Sequence, residues 1–239
     1  MSTLRIGALV FPRLDQLDFT GPFEVLSRVP GSEFHVLWKE RTPVVDLKGL
    51  VLTPTTTFDE APPLDVLVVP GGWGQQALME DESVLSFVKD SAARAACVLS
   101  VCTGALVLGA AGLLVGKRAT THWASFHLLP FFGAIPVQER VVVDGSLVTT
   151  AGVTAGIDGA LAAVARLRGE RAAQEIQLYM EYAPEPPLPG GTPESSPKEM
   201  VAAFRESARA IGEERLATAR AAAARLGVVS PAALPPRGA

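Results

Sequence analysis

Cys102 is the residue with the most evident chemistry. It sits in Ser100-Val101-Cys102-Thr103-Gly104, where an apolar, β-branched run enters the cysteine and small residues leave it. That is the layout of a nucleophile elbow with sulfur in place of oxygen, a strand-to-helix turn that lifts the side chain above a sheet edge. The start of the next helix beneath the sulfur would favour thiolate. Against this stands the ordinary state of a free cysteine, a small buried apolar residue. Cys97, at the start of the same strand and the opposite edge, fits that ordinary state. A thiol enzyme also needs a group that moves protons. Asp18, in Gln16-Leu17-Asp18-Phe19-Thr20-Gly21-Pro22, follows the first strand and so shares an edge with Cys102. It would either exchange protons there or cap the following helix. Asp15 competes for the proton role from a more polar, turn-like stretch. Gly71-Gly72-Trp73-Gly74 follows the third strand, and Gly72 with the Thr103 amide could form an oxyanion-type hole. It lacks the Gly-Lys-Ser/Thr of a phosphate loop. His122, in Thr120-Thr121-His122-Trp123, either folds over the site or opens a helix and packs on Trp123. His35 and His127 read as structural.

These residues need a scaffold that brings several loops to one edge. Leu4 to Phe11, Glu33 to Trp38, Asp65 to Val69 and Ala96 to Val101 read as strands, the first near-continuously apolar as in a strand buried on both faces. Helical patterns alternate with them: one opening at Gly21-Pro22 with Pro at the first helical position, one over Ser83 to Ala96, one over Thr103 to Leu114, and one with Ile157, Leu161, Val164 and Leu167 on a single face. Alternation of this kind indicates an α/β protein with a mostly parallel sheet covered on both faces. Two hairpins interrupt it, turning near Lys48-Gly49 and at Asp144-Gly145. Residues 1–182 form this α/β domain. Residues 183–197, with six prolines and two glycines, form an extended loop. Residues 198–227 form one extra C-terminal helix. Its stripe of Val201, Phe204, Ala208 and Ile211 docks on the domain or on a partner subunit, and Gly212 is its weak point. Residues 228–239 form a flexible tail.

Composition narrows the function classes. The chain has 239 residues, 48% of them hydrophobic and 19% charged, which supports a buried core and excludes a disordered protein. A net charge of −4 gives no electrostatic footprint for nucleic acid or an anionic membrane. Two cysteines five residues apart form neither a disulfide framework nor a zinc site. No apolar run is long enough to span a bilayer, and the N-terminal stretch lacks the pattern of a secretory signal. The expected location is the cytoplasm.

With the cysteine elbow, Pro70-Gly71-Gly72 and Asp18 in view, the chain resembles the ThiJ/PfpI superfamily, relatives of the class I glutamine amidotransferase domain. The likeness continues through Gly116 to Trp123, Thr154 to Asp158, Glu181-Tyr182-Ala183-Pro184 and the tail helix. The Pro-Gly-Gly and the elbow are superfamily-wide. Asp in place of the usual Glu near the cysteine, with Thr directly after it, resembles more narrowly the isocyanide-hydrating members. The resemblance implies a flavodoxin-like three-layer sandwich, a homodimer, no metal or organic cofactor, and hydration of an isocyanide, R–N≡C, to the N-formamide. It implies that Cys102 attacks the terminal carbon to give a thioimidate. By the same resemblance Asp18 exchanges protons, Thr103 holds the arrangement, and backbone at Ala151 and Val153 positions water. Ala151 stands where the pattern has glycine. Three other readings share the fold: a glyoxalase-like thiol enzyme, the sensor half of an AraC-like regulator, and a redox sensor using Cys102. The regulator would need two helix-turn-helix units after the proline-rich loop, more than one helix supplies.

Overall fold

The computed structural model describes residues 3–229; the C-terminal part of the expected tail, residues 230–239, lies outside them. In chain order the elements are β1 (Leu4–Leu9), α1 (Gln16–Leu26), β2 (Ser32–Trp38), β3 (Val44–Val45), β4 (Val51–Leu52), β5 (Thr56–Thr57) and β6 (Val66–Val69). They continue with α2 (Gln75–Leu78), α3 (Glu82–Ala92), β7 (Cys97–Ser100), α4 (Gly104–Ala110), β8 (Arg118–Ala119) and the 3-10 helix Trp123–Phe132. β9 (Ile135–Pro136), β10 (Val141–Asp144), β11 (Leu147–Thr150), α5 (Ala155–Arg168), α6 (Glu170–Tyr179), α7 (Lys198–Ser207) and α8 (Arg209–Leu226) complete the chain.

The main sheet has the order β10-β11-β7-β6-β1-β2-β5, parallel except for β10 against β11. β6 and β7 are buried throughout because Val and Leu occupy both faces of the strand, as a sheet covered on two sides requires. Both expected hairpins form, β3–β4 as a separate small sheet and β10–β11 at the edge of the main one. With right-handed crossovers, the step from β1 to β2 and the steps from β6 to β7 and β11 put helices on opposite faces. Accordingly α1 packs on α5, while α4 packs on α3 and the 3-10 helix. The fold is the expected flavodoxin-like one, with extra C-terminal helices.

Three local expectations change. α1 begins at Gln16, not at Gly21, and carries Pro22 inside it. Pro22 removes one amide from the helix ladder, but the Asp15 cap seven residues earlier already starts the helix, its side chain accepting from the Leu17 amide at 3.4 Å. α4 stops at Ala110 rather than Leu114, and Gly112 with φ 80° turns the chain away. The tail is two helices rather than one, and the break falls at Ala208 (φ −99°, ψ 5°), not at the suspected Gly212. Just before the break the Ser207 hydroxyl bonds the Phe204 carbonyl at 2.8 Å, a local competitor of the helix ladder. The kink lets Phe204 lie against Trp123 while α8 packs along the 3-10 helix. The tail stripe therefore docks on its own domain: Val201 is buried.

Candidate active site

Strands β11, β7, β6 and β1 are neighbours in the sheet, so the loops at their carboxyl ends converge. Order reverses between β1 and β6, the switch point where open α/β sheets bind ligands. The β1 loop leads to Asp15 and Asp18, the β6 loop is Pro70-Gly71-Gly72, the β7 turn is Cys102, and the β11 loop runs from Ala151 to Val153.

The elbow is real in its backbone. Cys102 has φ 55°, a conformation uncommon for a non-glycine residue. Its amide donates to the Ala151 carbonyl at 3.1 Å, and its carbonyl accepts from Thr121 Oγ1 at 2.7 Å. Those two bonds pin the turn, and the backbone amides of Thr103 and Val153 then point at the sulfur. Gly104 must be glycine: a Cβ there would stand 2.0 Å from the Val69 carbonyl oxygen. Ala151 is accommodated without strain, because its backbone is not among those with positive φ; Val153, with φ 31°, is.

Asp18 is fully buried in the first turn of α1, and one carboxyl oxygen, Oδ2, accepts the Gly71 amide at 2.9 Å. The carboxyl is close enough to the Cys102 thiol for the two to interact electrostatically, and its other oxygen, Oδ1, is buried with no hydrogen-bond partner among the described residues. The helix-cap alternative falls to Asp15. Burial, with the Asp15 charge second, pushes the Asp18 carboxyl up to about 8, against the pull of the Gly71 amide and the thiol. Burial also drives the Cys102 thiol well up, and the Asp18 charge adds to it. The Thr103 and Val153 amides and Arg215 pull the other way without winning. The expected thiolate is thus corrected to a buried thiol beside a carboxylic acid, since seven residues of α4 and two amides do not outweigh the loss of water. Cys97 is also driven up by burial, to about 11, as its structural reading anticipates.

The oxyanion-type role expected of Gly72 is also corrected. Its amide is spent on Thr103 Oγ1 at 3.1 Å, and the same hydroxyl donates back to the Gly72 carbonyl at 3.3 Å. Thr103 thus ties the β6 loop to the β7 elbow. His122 caps the 3-10 helix, its Nδ1 accepting from the Ala124 amide at 3.3 Å, and its ring packs between Trp123 and Phe204. It both opens a helix and walls the site, so the two readings of it coexist. His35 pairs with Thr56 on the sheet, away from the site.

A cavity of about 210 Å³ contains Cys102 and is walled by Asp15, Leu47, Thr103, His122, Val153, Phe204, Ile211 and Arg215, among others. Asp18 does not line this cavity; a larger hollow beside it shares His122 and Val153 but lacks Cys102. Arg215 is the residue sequence reasoning missed. It is buried, its Nη2 donates to the Gly72 carbonyl at 2.8 Å, and its Nη1 reaches Ser125 Oγ at 3.4 Å. A signal existed. The stripe Val201, Phe204, Ala208, Ile211 continues in steps of three and four through 215 and 218 to Ala222. Arg215 thus occupies a slot that faces the domain. Among the described residues, no group of three or more His, Cys, Asp or Glu is placed to hold a metal ion, and no helix is long and apolar enough to cross a membrane.

A model of the DJ-1/PfpI family matches residues 5–166. The chain is 52% identical over 223 residues to the isonitrile hydratase of Pseudomonas putida, covering 93% of this chain and 98% of that protein. A solved ThiJ/PfpI family protein from Pseudomonas syringae superposes with a TM-score of 0.89 at 40% identity, covering 92% of this chain and 91% of that one. The HTH-type transcriptional regulator GbdR of Pseudomonas aeruginosa is 29% identical over 166 residues, covering 67% of this chain and 45% of the regulator.

Proposed function

Because this chain belongs to the DJ-1/PfpI family, we propose that it is a cofactor-independent isocyanide hydratase, acting as a homodimer and converting R–N≡C and water to R–NH–CHO. One observation carries the reading beyond the family: Cys102 lines a small cavity, and Asp18, an aspartate rather than the family's usual glutamate, is buried beside it as an electrostatic partner. Likeness to the hydratase runs along nearly the whole of both chains, whereas likeness to the regulator spans less than half of that protein.

The chemistry follows from the pair. An isocyanide carbon accepts a soft nucleophile, and sulfur is the soft nucleophile of the site. As Sγ bonds to that carbon, Asp18 delivers a proton to the same carbon and takes the proton leaving the sulfur. The product is a thioimidate, R–N=CH–S–Cys102. Water then adds to its carbon and the nitrogen is protonated. Cleavage of the C–S bond releases the formamide and returns the proton to Cys102. Atoms balance with no oxidant, reductant or cofactor. A carboxyl held near 8 suits both directions of transfer at neutral pH, since it neither keeps nor gives up its proton outright. The Thr103 and Val153 amides hold the sulfur as charge develops on it in both steps. The Ala151 amide is already bonded to the Arg140 carbonyl at 2.9 Å and its carbonyl to Cys102, so its part is to fix the elbow while its carbonyl's remaining lone pair is left for water.

The test is incubation with a panel of aryl and alkyl isocyanides, reading the formamide by mass spectrometry. Wild type should produce it and carry, during turnover, an adduct of isocyanide mass on Cys102. Cys102→Ala should produce none while remaining folded. Turnover by Cys102→Ala at the wild-type rate, or no formamide from any member of the panel, overturns the reading.

A further inference from the structure

Arg215 lies beyond residue 166, where the family match ends, yet it is buried at the reaction cavity. Among the described residues no carboxylate lies within salt-bridge distance of it, which is costly for a buried cation unless something else answers its charge. Its Nη2 holds the Gly72 carbonyl at 2.8 Å. That carbonyl also accepts from Thr103 Oγ1, and the neighbouring Gly71 amide holds Asp18. One guanidinium therefore grips the turn to which both Thr103 and Asp18 are tied. We propose that Arg215 is a positioning residue for the reaction: through Gly72 it fixes the Thr103–Asp18 turn, and its charge offsets the negative charge that grows on Cys102. The docked C-terminal helix thus completes a site that the family's core leaves open. This rests on the hydratase reading for turnover, but not for the state of the thiol.

The groups that face Cys102 and can carry charge are Asp18 in α1, Asp15 at its cap, His122 at the start of the 3-10 helix and Arg215 in α8; Glu214 adjoins Arg215. Arginine stays protonated across the accessible pH range, so it supplies a constant field rather than a titration. A Coulombic pull of Arg215 on the Cys102 charge agrees with this.

The test is the pH dependence of Cys102 alkylation by iodoacetamide in the full-length protein, read by peptide mass spectrometry with Cys97 as the internal control. Arg215→Gln should raise the alkylation midpoint by about one pH unit or more, the size of losing a nearby opposite charge. It should lower kcat at least about tenfold with KM changed less, as expected when the loss falls on the transition state. Arg215→Lys keeps the charge and should hold the midpoint within about half a unit while losing part of kcat with the fork to Gly72. A folded Arg215→Gln with the wild-type midpoint overturns the proposal. Should Arg215→Gln not fold, a full-unit rise in Arg215→Lys overturns it equally, because charge would then not be the cause. Absence of formamide from wild type would instead sink the hydratase reading and leave the alkylation result standing.

Discussion

Asp18 and Cys102 form a pair in which the Asp18 charge raises the thiol's cost of ionising while the thiol eases that of the carboxyl. Their titration belongs to the pair, so a pH profile reports two apparent values rather than one per residue. Activity should fall as pH rises past about 8, where the carboxyl that donates a proton is lost. The same shift has a consequence for stability. Between the ordinary aspartate value near 3.8 and about 8, the folded chain holds a proton at Asp18 that the unfolded chain has released. Its contribution to stability is therefore full below about 4 and drains away as pH climbs to 8. Asp18→Asn removes that window and can still accept the Gly71 amide. It should be at least about 1 kcal/mol more stable than wild type at pH 8, and lose at least roughly a hundredfold in turnover. Urea melts at pH 5 and pH 8 check the first claim; unchanged formamide production refutes the second. Asp15→Asn should keep the helix, since Asn caps as well as Asp, and should move the alkaline limit of activity to lower pH, because the Asp15 charge that helps raise Asp18 is gone. Sequence could place Cys102 and Asp18 on one edge because strand ends are legible. It could not give their protonation, which depends on how completely α1, α4 and α8 exclude water. Nor could it show that the Gly71 and Gly72 amides are spent on Asp18 and Thr103 rather than free.

Elements were legible where one local signal dominated and illegible where two competed. The buried strands read true because Val and Leu on both faces admit only a covered sheet. The start of α1 was misplaced because Pro22 looks like a first-turn proline, while Asp15, an equally good start signal, lies seven residues before it. Arg215 was hidden in an Ala- and Arg-rich helix whose other arginines are exposed. Two glycines separate these effects experimentally. At Gly71 a Cβ would stand 2.6 Å from the Thr103 amide nitrogen and hydroxyl and 2.9 Å from Asp18 Oδ2. Gly71→Ala must therefore push apart the two groups that hold the site. It should cost about 1–3 kcal/mol of stability and abolish most turnover. At Gly212, in α8, nothing lies within 4 Å of an added Cβ. Gly212→Ala should stabilise by about 0.5–1 kcal/mol and leave kcat unchanged. Thermal melts and formamide rates on both variants check the contrast.

At the scale of the whole molecule, the sequence placed the tail stripe on either its own domain or a partner, and within one chain it packs on the domain. Val201 is buried, Phe204 lies on Trp123 yet stays 42% exposed, and Ile211 walls the cavity, so the stripe packs on its own domain while part of it still faces outward. We propose that the expected homodimer uses another face. The β3–β4 hairpin is one surface whose character asks for cover. Val45, Leu50 and Val51 stand about half exposed on it, and a lone two-stranded hairpin is marginal in water. It is tied back by the Arg13 amide to the Val45 carbonyl at 2.8 Å and the Leu47 amide to the Leu14 carbonyl at 3.0 Å. Leu47 itself walls the reaction cavity, so steadying the hairpin steadies the site. Light scattering at micromolar concentration should give close to twice the 25.1 kDa of one chain. Val51→Lys sets an uncompensated charge in that patch and should shift the mass toward a single chain, with a rise in KM as Leu47 loosens. Leu178→Lys, on the exposed face of α6, should leave the mass unchanged. A wild-type mass of one chain removes the dimer, and dissociation by Leu178→Lys in place of Val51→Lys moves the interface to α6.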